Sequence, residues 1–209
     1  MKRFLPIIIF LILIPIAMYA GYNRTAKNPD PNHTHADFAV WINGTKLDFS
    51  QKKYMQDIPT DEEEQMLEHS TGTGSGPDYF KRYMHLHDGN GDVLHRHKPG
   101  LGFGDFLTSL HFTLTPTCLT TDTGEKTCDT ADKKWQLFVN GKEIVPFNDN
   151  YIFDDGNTIL LTYGADSAEV QREESLMTHD ACRYSQTCPG RGKAPTESCI
   201  SDPTVPCKQ

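Results

Sequence analysis

The 209-residue chain has no CxxC pair and no GxSxG elbow, which removes thioredoxin-like thiol exchange and the common serine-hydrolase arrangement. It is short of positive charge. Twenty Lys and Arg stand against 28 Asp and Glu, a formal net charge of -8, so the overall field repels phosphate backbones and nucleic acid is excluded as a partner. Apolar side chains are sparse at 37%, yet with the 16 Gly counted the share matches ordinary domains, which excludes wholesale disorder. His and Cys, nine and six of them, are plentiful and clustered instead.

Met1-Lys2-Arg3 precedes a run from Phe4 to Tyr22 without a charged side chain, 19 residues that as a helix would span about 28 Å of a bilayer. A basic start followed by an apolar run reads as a signal anchor that holds residues 1–22 in the cell membrane with the rest extracytoplasmic. The alternative is a cleaved signal and a secreted chain. Cleavage after Ala20 would place Met18 where a small residue is favoured, so the anchor is preferred. Residues 23–32, with Pro29 and Pro31, read as a tether. An exported chain meets an oxidising compartment, so the cysteines are expected in disulfides. Cys118 and Cys128 flank a polar, turn-rich stretch and suit a local bridge. Cys182, Cys188, Cys199 and Cys207 lie in a tail too poor in apolar residues to fold without cross-links, and their connectivity stays open.

Between tether and tail, residues 33–164 read as one His-rich domain with an irregular insertion at 56–80, acidic first and Gly-rich after, with a helical turn possible around Glu62–Glu68. From Ala36 the side chains alternate, Ala36, Phe38, Val40 and Ile42 facing one way, and Asn43-Gly44 then signals a hairpin. The same pattern recurs at Gln136–Val139, Asn140-Gly141 and Glu143–Val145, and a last strand is predicted over Thr158–Tyr163. Gly104-Asp105 opens a short helix to His111, with Asp105 as N-cap and Phe106, Leu107 and Leu110 on one face. Residues 165–178 can form a charged helix leading into the Cys-rich tail of 165–209.

The fold class expected is α+β, a small mixed sheet with one short helix across it. The stretch Trp135-Gln136-Leu137-Phe138-Val139-Asn140-Gly141-Lys142-Glu143, followed by Asp155-Gly156-Asn157-Thr158-Ile159-Leu160, resembles the ending of secreted transcobalamin-type and soluble-ligand-binding β-grasp domains. The resemblance covers about 36–50 and 83–164 and implies a β-grasp, ubiquitin-like fold without implying an activity.

Three His-x-His pairs stand out: His33/His35, His85/His87 and His95/His97. On a strand, residues two apart share a face, so each pair presents two imidazoles together, on the side opposite the apolar residues. The loop from Asp88 to Leu94 is rich in turn residues. A hairpin centred on Gly91 would set His85 opposite His97 and His87 opposite His95, four imidazoles at coordinating distance. His33 and His35 would complete this site or form a second one. Imidazole-rich, thiolate-free ligation suits copper(II), zinc or nickel, and raw affinity favours copper, so copper or zinc is the expected ion. Asp37, Asp88 and Asp92 are placed to support the ligands from behind. His69, His111 and His179 have no partner at ligand spacing.

Other metal patterns fail on particular residues. Asp88-x-Asn90-x-Asp92 begins like a calcium loop but has Val93 and Pro99 where Gly and Glu are required. His33-x-His35-x-Asp37 begins like a metallo-β-lactamase motif, with Phe38 where the next His belongs. His85-x-His87 lacks the following Glu of a cupin. A metal-binding module is therefore the leading function, with no catalytic residue assigned. A non-catalytic β-grasp interaction or assembly module and a metal-dependent enzyme stand as alternatives.

Overall fold

The computed structural model describes residues 27–56 and 75–195. The apolar run 4–22, the tether to residue 26, the acidic stretch around Glu62–Glu68, Cys199 and Cys207 lie outside them. Among the described residues no helix is long and apolar enough to cross a membrane.

Strand β1 (Thr34–Ile42) forms the spine of the main sheet. Asn43 and Gly44, at φ 50° and 77°, both occupy the left-handed region that a two-residue hairpin turn requires, and they return the chain as β2 (Thr45–Lys46). A single 3-10 turn at Lys52–Tyr54 precedes the undescribed stretch. Helix α1 (Pro77–Tyr83) then runs straight into β3 (Met84–His85), which pairs with β4 (Val93–Arg96). The end of the expected insertion is thus a helix rather than an irregular loop. Pro77 sits in its first turn, where a missing N–H costs nothing.

Helix α2 (Phe103–Ser109) follows. It begins earlier than its sequence suggested, because the Asp105 carboxylate reaches back to accept from the Gly102 N–H at 2.8 Å and so acts from the third helical position, not as N-cap. Strands β5 (Thr113–Thr115), β6 (Cys118–Thr120) and β7 (Lys126–Cys128) form a separate three-stranded sheet that the sequence did not announce. Its disulfide joins the directly opposed Cys118 and Cys128, as expected of a local bridge. Then β8 (Trp135–Val139), the Asn140-Gly141 turn, β9 (Lys142–Glu143) and β10 (Asn157–Tyr163) complete the main sheet. Helices α3 (Ser167–Ser175) and α4 (Ala181–Tyr184) follow, and a 3-10 turn at Pro189–Arg191 is the last element of the described chain.

The architecture is α+β with a mixed sheet in the order β3-β4-β1-β10-β8-β9. β1 and β10 are parallel in its centre and the other pairings are antiparallel. One edge of β1 meets β10, while the other is divided between β4 at Thr34–Asp37 and β2 at Trp41–Ile42. This division lays the start of β1 beside β4.

Alternation along β1 sends Ala36, Phe38 and Val40 into the main core with Leu86, Leu94, Leu137, Ile159 and Leu161, where Phe103, Phe106 and Leu107 of α2 pack across the sheet. The opposite face is covered as well. Val170 of α3 lies on Ala39, Trp41 and Leu160, and Ala181 and Tyr184 of α4 lie on Val93. Asp166 holds α3 in place by accepting from the Ala168 and Glu169 N–H groups, each at 2.9 Å. The Cys182–Cys188 disulfide staples the turn after α4.

Candidate metal centre

The His-bearing face is the one beneath α4. Pairing of β1 with β4 sets His35 opposite His95, and pairing of β4 with β3 sets His95 opposite His85, so a rung of three imidazoles crosses three strands. His33, His97 and His87 lie two residues on, just beyond the ends of β1, β4 and β3, and their rings meet those of the rung. All six paired histidines therefore converge. The expected hairpin register is corrected: His85 faces His95, not His97, and His87 is not directly opposite His95 in the ladder. The seating of the loop explains this. Gly91 presses against the backbone of Phe49 and Ser50 so closely that a Cβ there would fall 2.4 Å from the Ser50 nitrogen. The compact square of rings forms instead between β1 and β4, with centroid distances of 3.9 Å for His33–His97, 4.4 Å for His33–His35 and 4.7 Å for His35–His95.

The other pair adjoins this square. His87 lies 4.0 Å from His95 and His85 lies 4.8 Å from His97, centroid to centroid. Two nitrogen pairs are close: His33 Nε2 to His35 Nε2 at 3.1 Å, and His87 Nε2 to His95 Nδ1 at 3.3 Å. Donor atoms of His33, His35 and His95 all lie within 4.8 Å of one another, a set that could hold a metal ion.

The neighbours of three rings decide which nitrogen carries the proton. His85 Nδ1 lies 3.2 Å from the Lys81 carbonyl oxygen, which only accepts, so Nδ1 is the donor. His87 Nδ1 is 2.7 Å from the Asp88 carboxylate and donates likewise. Ser185 Oγ donates to Asp155 at 2.5 Å, which leaves its oxygen to accept from His35 Nδ1 at 2.7 Å. In all three the Nε2 lone pair is left for the cluster, the arrangement in which a backing acceptor fixes the tautomer of a ligating histidine.

The face opposite the apolar one is itself buried. His35, His85, His95 and His97 are at most 3% exposed, because α4 and the tail roof the sheet. Tyr184 spans the cluster, its ring centroid 4.8 Å from that of His95 and 5.6 Å from that of His35, with its hydroxyl accepting from Asn90 Nδ2 at 3.0 Å. Burial, reinforced by His85, His33, His95 and His35, holds the His97 pKa well below its ordinary value. Among the described residues neither His97 ring nitrogen has a hydrogen-bond partner. Burial raises the Asp155 pKa, but the His35 ring, Ser185 Oγ–H and the His35 backbone N–H outweigh it and hold the carboxyl below its ordinary range.

Of the three supporting acids expected, Asp88 alone touches one of the six rings. Asp92 pairs instead with Lys46 at 2.6 Å. Asp37 is buried beside the cluster, but its carboxylate accepts from Thr178 Oγ1, Asp180 N–H and Ala181 N–H at 2.7, 2.7 and 3.1 Å, so it fastens the start of α4. Asp155, Tyr184 and Ser185 were missed because they come from distant segments with no short-range motif. His111 and His179 are exposed and apart from the cluster, and His69 is outside the described residues. No protein-family model matches the chain, and no match to it was found among the curated proteins or the solved structures.

Proposed function

We propose that the protein is an exported, membrane-anchored metal-binding protein that holds copper or zinc on the six-histidine face. The observation that carries this reading is the convergence of His33, His35, His85, His87, His95 and His97 on three adjacent strands, with three donor atoms within 4.8 Å of one another. Imidazoles packed this closely repel one another once protonated, and the buried His97 has no partner for either ring nitrogen among the described residues. Leaving a buried polar group unpaired costs about 1–3 kcal/mol. A divalent ion satisfies the lone pairs, and Asp155 and Asp88 provide negative charge behind the ligands. All-nitrogen ligation favours copper(II) over zinc in raw affinity.

Two disulfides support the oxidising compartment that the N-terminal apolar run suggests. We also read the fold as β-grasp-like. The parallel pair β1 and β10, flanked by β2 on one side and the β8–β9 hairpin on the other with α2 across one face, supports that reading.

The test is a titration of the chelator-stripped full chain with copper(II) and zinc, alongside His35→Ala/His95→Ala. Tight binding to the wild type and loss of at least tenfold in affinity in the variant is the expected result. Retention of full affinity by the variant, or no tight binding by the wild type, overturns the proposal.

A further inference from the structure

The cluster has six imidazoles where a zinc site ordinarily takes four protein ligands, and they are backed from two separate directions. Two nitrogens bound to one ion at ~2.0–2.1 Å stand about 2.9 Å apart at a right angle and about 3.4 Å apart at the tetrahedral angle. Both close pairs, His33 Nε2 with His35 Nε2 at 3.1 Å and His87 Nε2 with His95 Nδ1 at 3.3 Å, fall in that interval and share no atom. Among the described residues the only set of three or more donors within 4.8 Å is His33, His35 and His95, so one ion there leaves His85 and His87 unused. Yet His85 and His87 carry their own fixed tautomers, set by the Lys81 carbonyl and Asp88, just as His35 is set by Ser185 and Asp155. A tautomer held by an outer acceptor on each side points to a metal on each side.

Building on the metal-binding reading, we infer that the face holds two metal ions, one on the His33–His35 side and one on the His85–His87 side, with His95 and His97 between them as inner ligands. His97 fits this place. It is 3% exposed, its ring lies 3.9 Å from that of His33 and 4.8 Å from that of His85, and among the described residues neither of its nitrogens has a hydrogen-bond partner.

Metal content decides the matter on the full chain, purified in detergent, stripped with chelator, reloaded with excess copper(II) and freed of loose metal by desalting. The wild type should retain about two ions per chain, and His85→Ala/His87→Ala and His33→Ala/His35→Ala should each halve that content. An exposed-histidine control, His111→Ala/His179→Ala, should retain the full content. Paramagnetic resonance of the copper-loaded wild type should show the half-field transition of two interacting ions, lost in either double variant. One ion in the wild type, or loss of all metal from either variant with its circular dichroism unchanged, overturns the two-ion arrangement while metal binding stands. Absence of retained metal in the wild type overturns both. Should an alanine variant fail to fold, His87→Gln serves in its place, with the same halving required.

Discussion

His35 and Ser185, 150 residues apart in the chain, are joined by a 2.7 Å hydrogen bond between ring Nδ1 and hydroxyl Oγ. The hydroxyl donates its own hydrogen bond to Asp155, whose other described contacts include the His35 backbone N–H at 2.9 Å. The second residue of β1 is thus tied to the residue that caps the C-terminus of α4.

If this relay orients His35, Ser185→Ala and Asp155→Asn should each weaken metal binding by roughly 10–100-fold, the usual effect of removing a backing partner. Competition with a chromophoric chelator measures it. Unchanged affinity in both variants would show that the relay serves packing alone.

Asp37→Ala removes the acceptor for Thr178 Oγ1, Asp180 N–H and Ala181 N–H in a buried place. A loss of about 2–3 kcal/mol is expected from chemical denaturation, and the metal should exchange faster as α4 loosens. Stability within 0.5 kcal/mol of wild type, a margin about that of surface changes, would refute the fastening role.

The metal-free protein should weaken in acid. His97 has a folded pKa held below its unfolded value, so its contribution is complete above about pH 6.5 and is lost as pH falls from there through the folded pKa. The slope reaches at most about 1.4 kcal/mol per pH unit for one such group. Asp155, also lowered, adds to the loss at more acidic pH, whereas Asp37, pushed up by burial, acts with the opposite sign. Denaturation midpoints of wild type and His97→Leu between pH 7.5 and 5 isolate the term, and the variant's profile should be flatter. Parallel profiles would assign the pH dependence elsewhere.

Gly91→Ala places a methyl carbon 2.4 Å from Ser50 nitrogen and 2.5 Å from the Phe49 carbonyl carbon, backbone atoms that cannot swing aside. The loop must lift, with a cost of about 1–3 kcal/mol in thermal unfolding and a matching loss of metal affinity as β3 and β4 shift. An alanine variant with wild-type melting and binding would show that the loop has room to spare.

Much of the sheet was legible because its signals are local. Both Asn-Gly turns, the alternation of β1 and the final strand depend on residues within a few positions of one another. The three His-x-His pairs were legible for the same reason, since a period of two needs only one strand. Register was not. Five turn residues from Asp88 to Asp92 offer several hairpin centres, and the choice among them is made by Gly91 meeting residues 49 and 50 and by β4 docking on β1. The roof was equally hidden, for a segment with few apolar side chains gives little warning that Ala181 and Tyr184 will bury Val93. Asp37 looked like a metal-supporting acid because it continues the His33-x-His35 alternation, and only the fold reveals the helix start that occupies it.

The parallel pairing of β1 with β10 has a consequence for the order of events in the life of the chain. Ala36 finds its partner Asn157 only after the intervening residues have been made, and Ser185 reaches His35 later still. The histidine face therefore takes its final form only after nearly all of the described body has been made, so whatever the six imidazoles hold is taken up by a folded chain rather than by a nascent one.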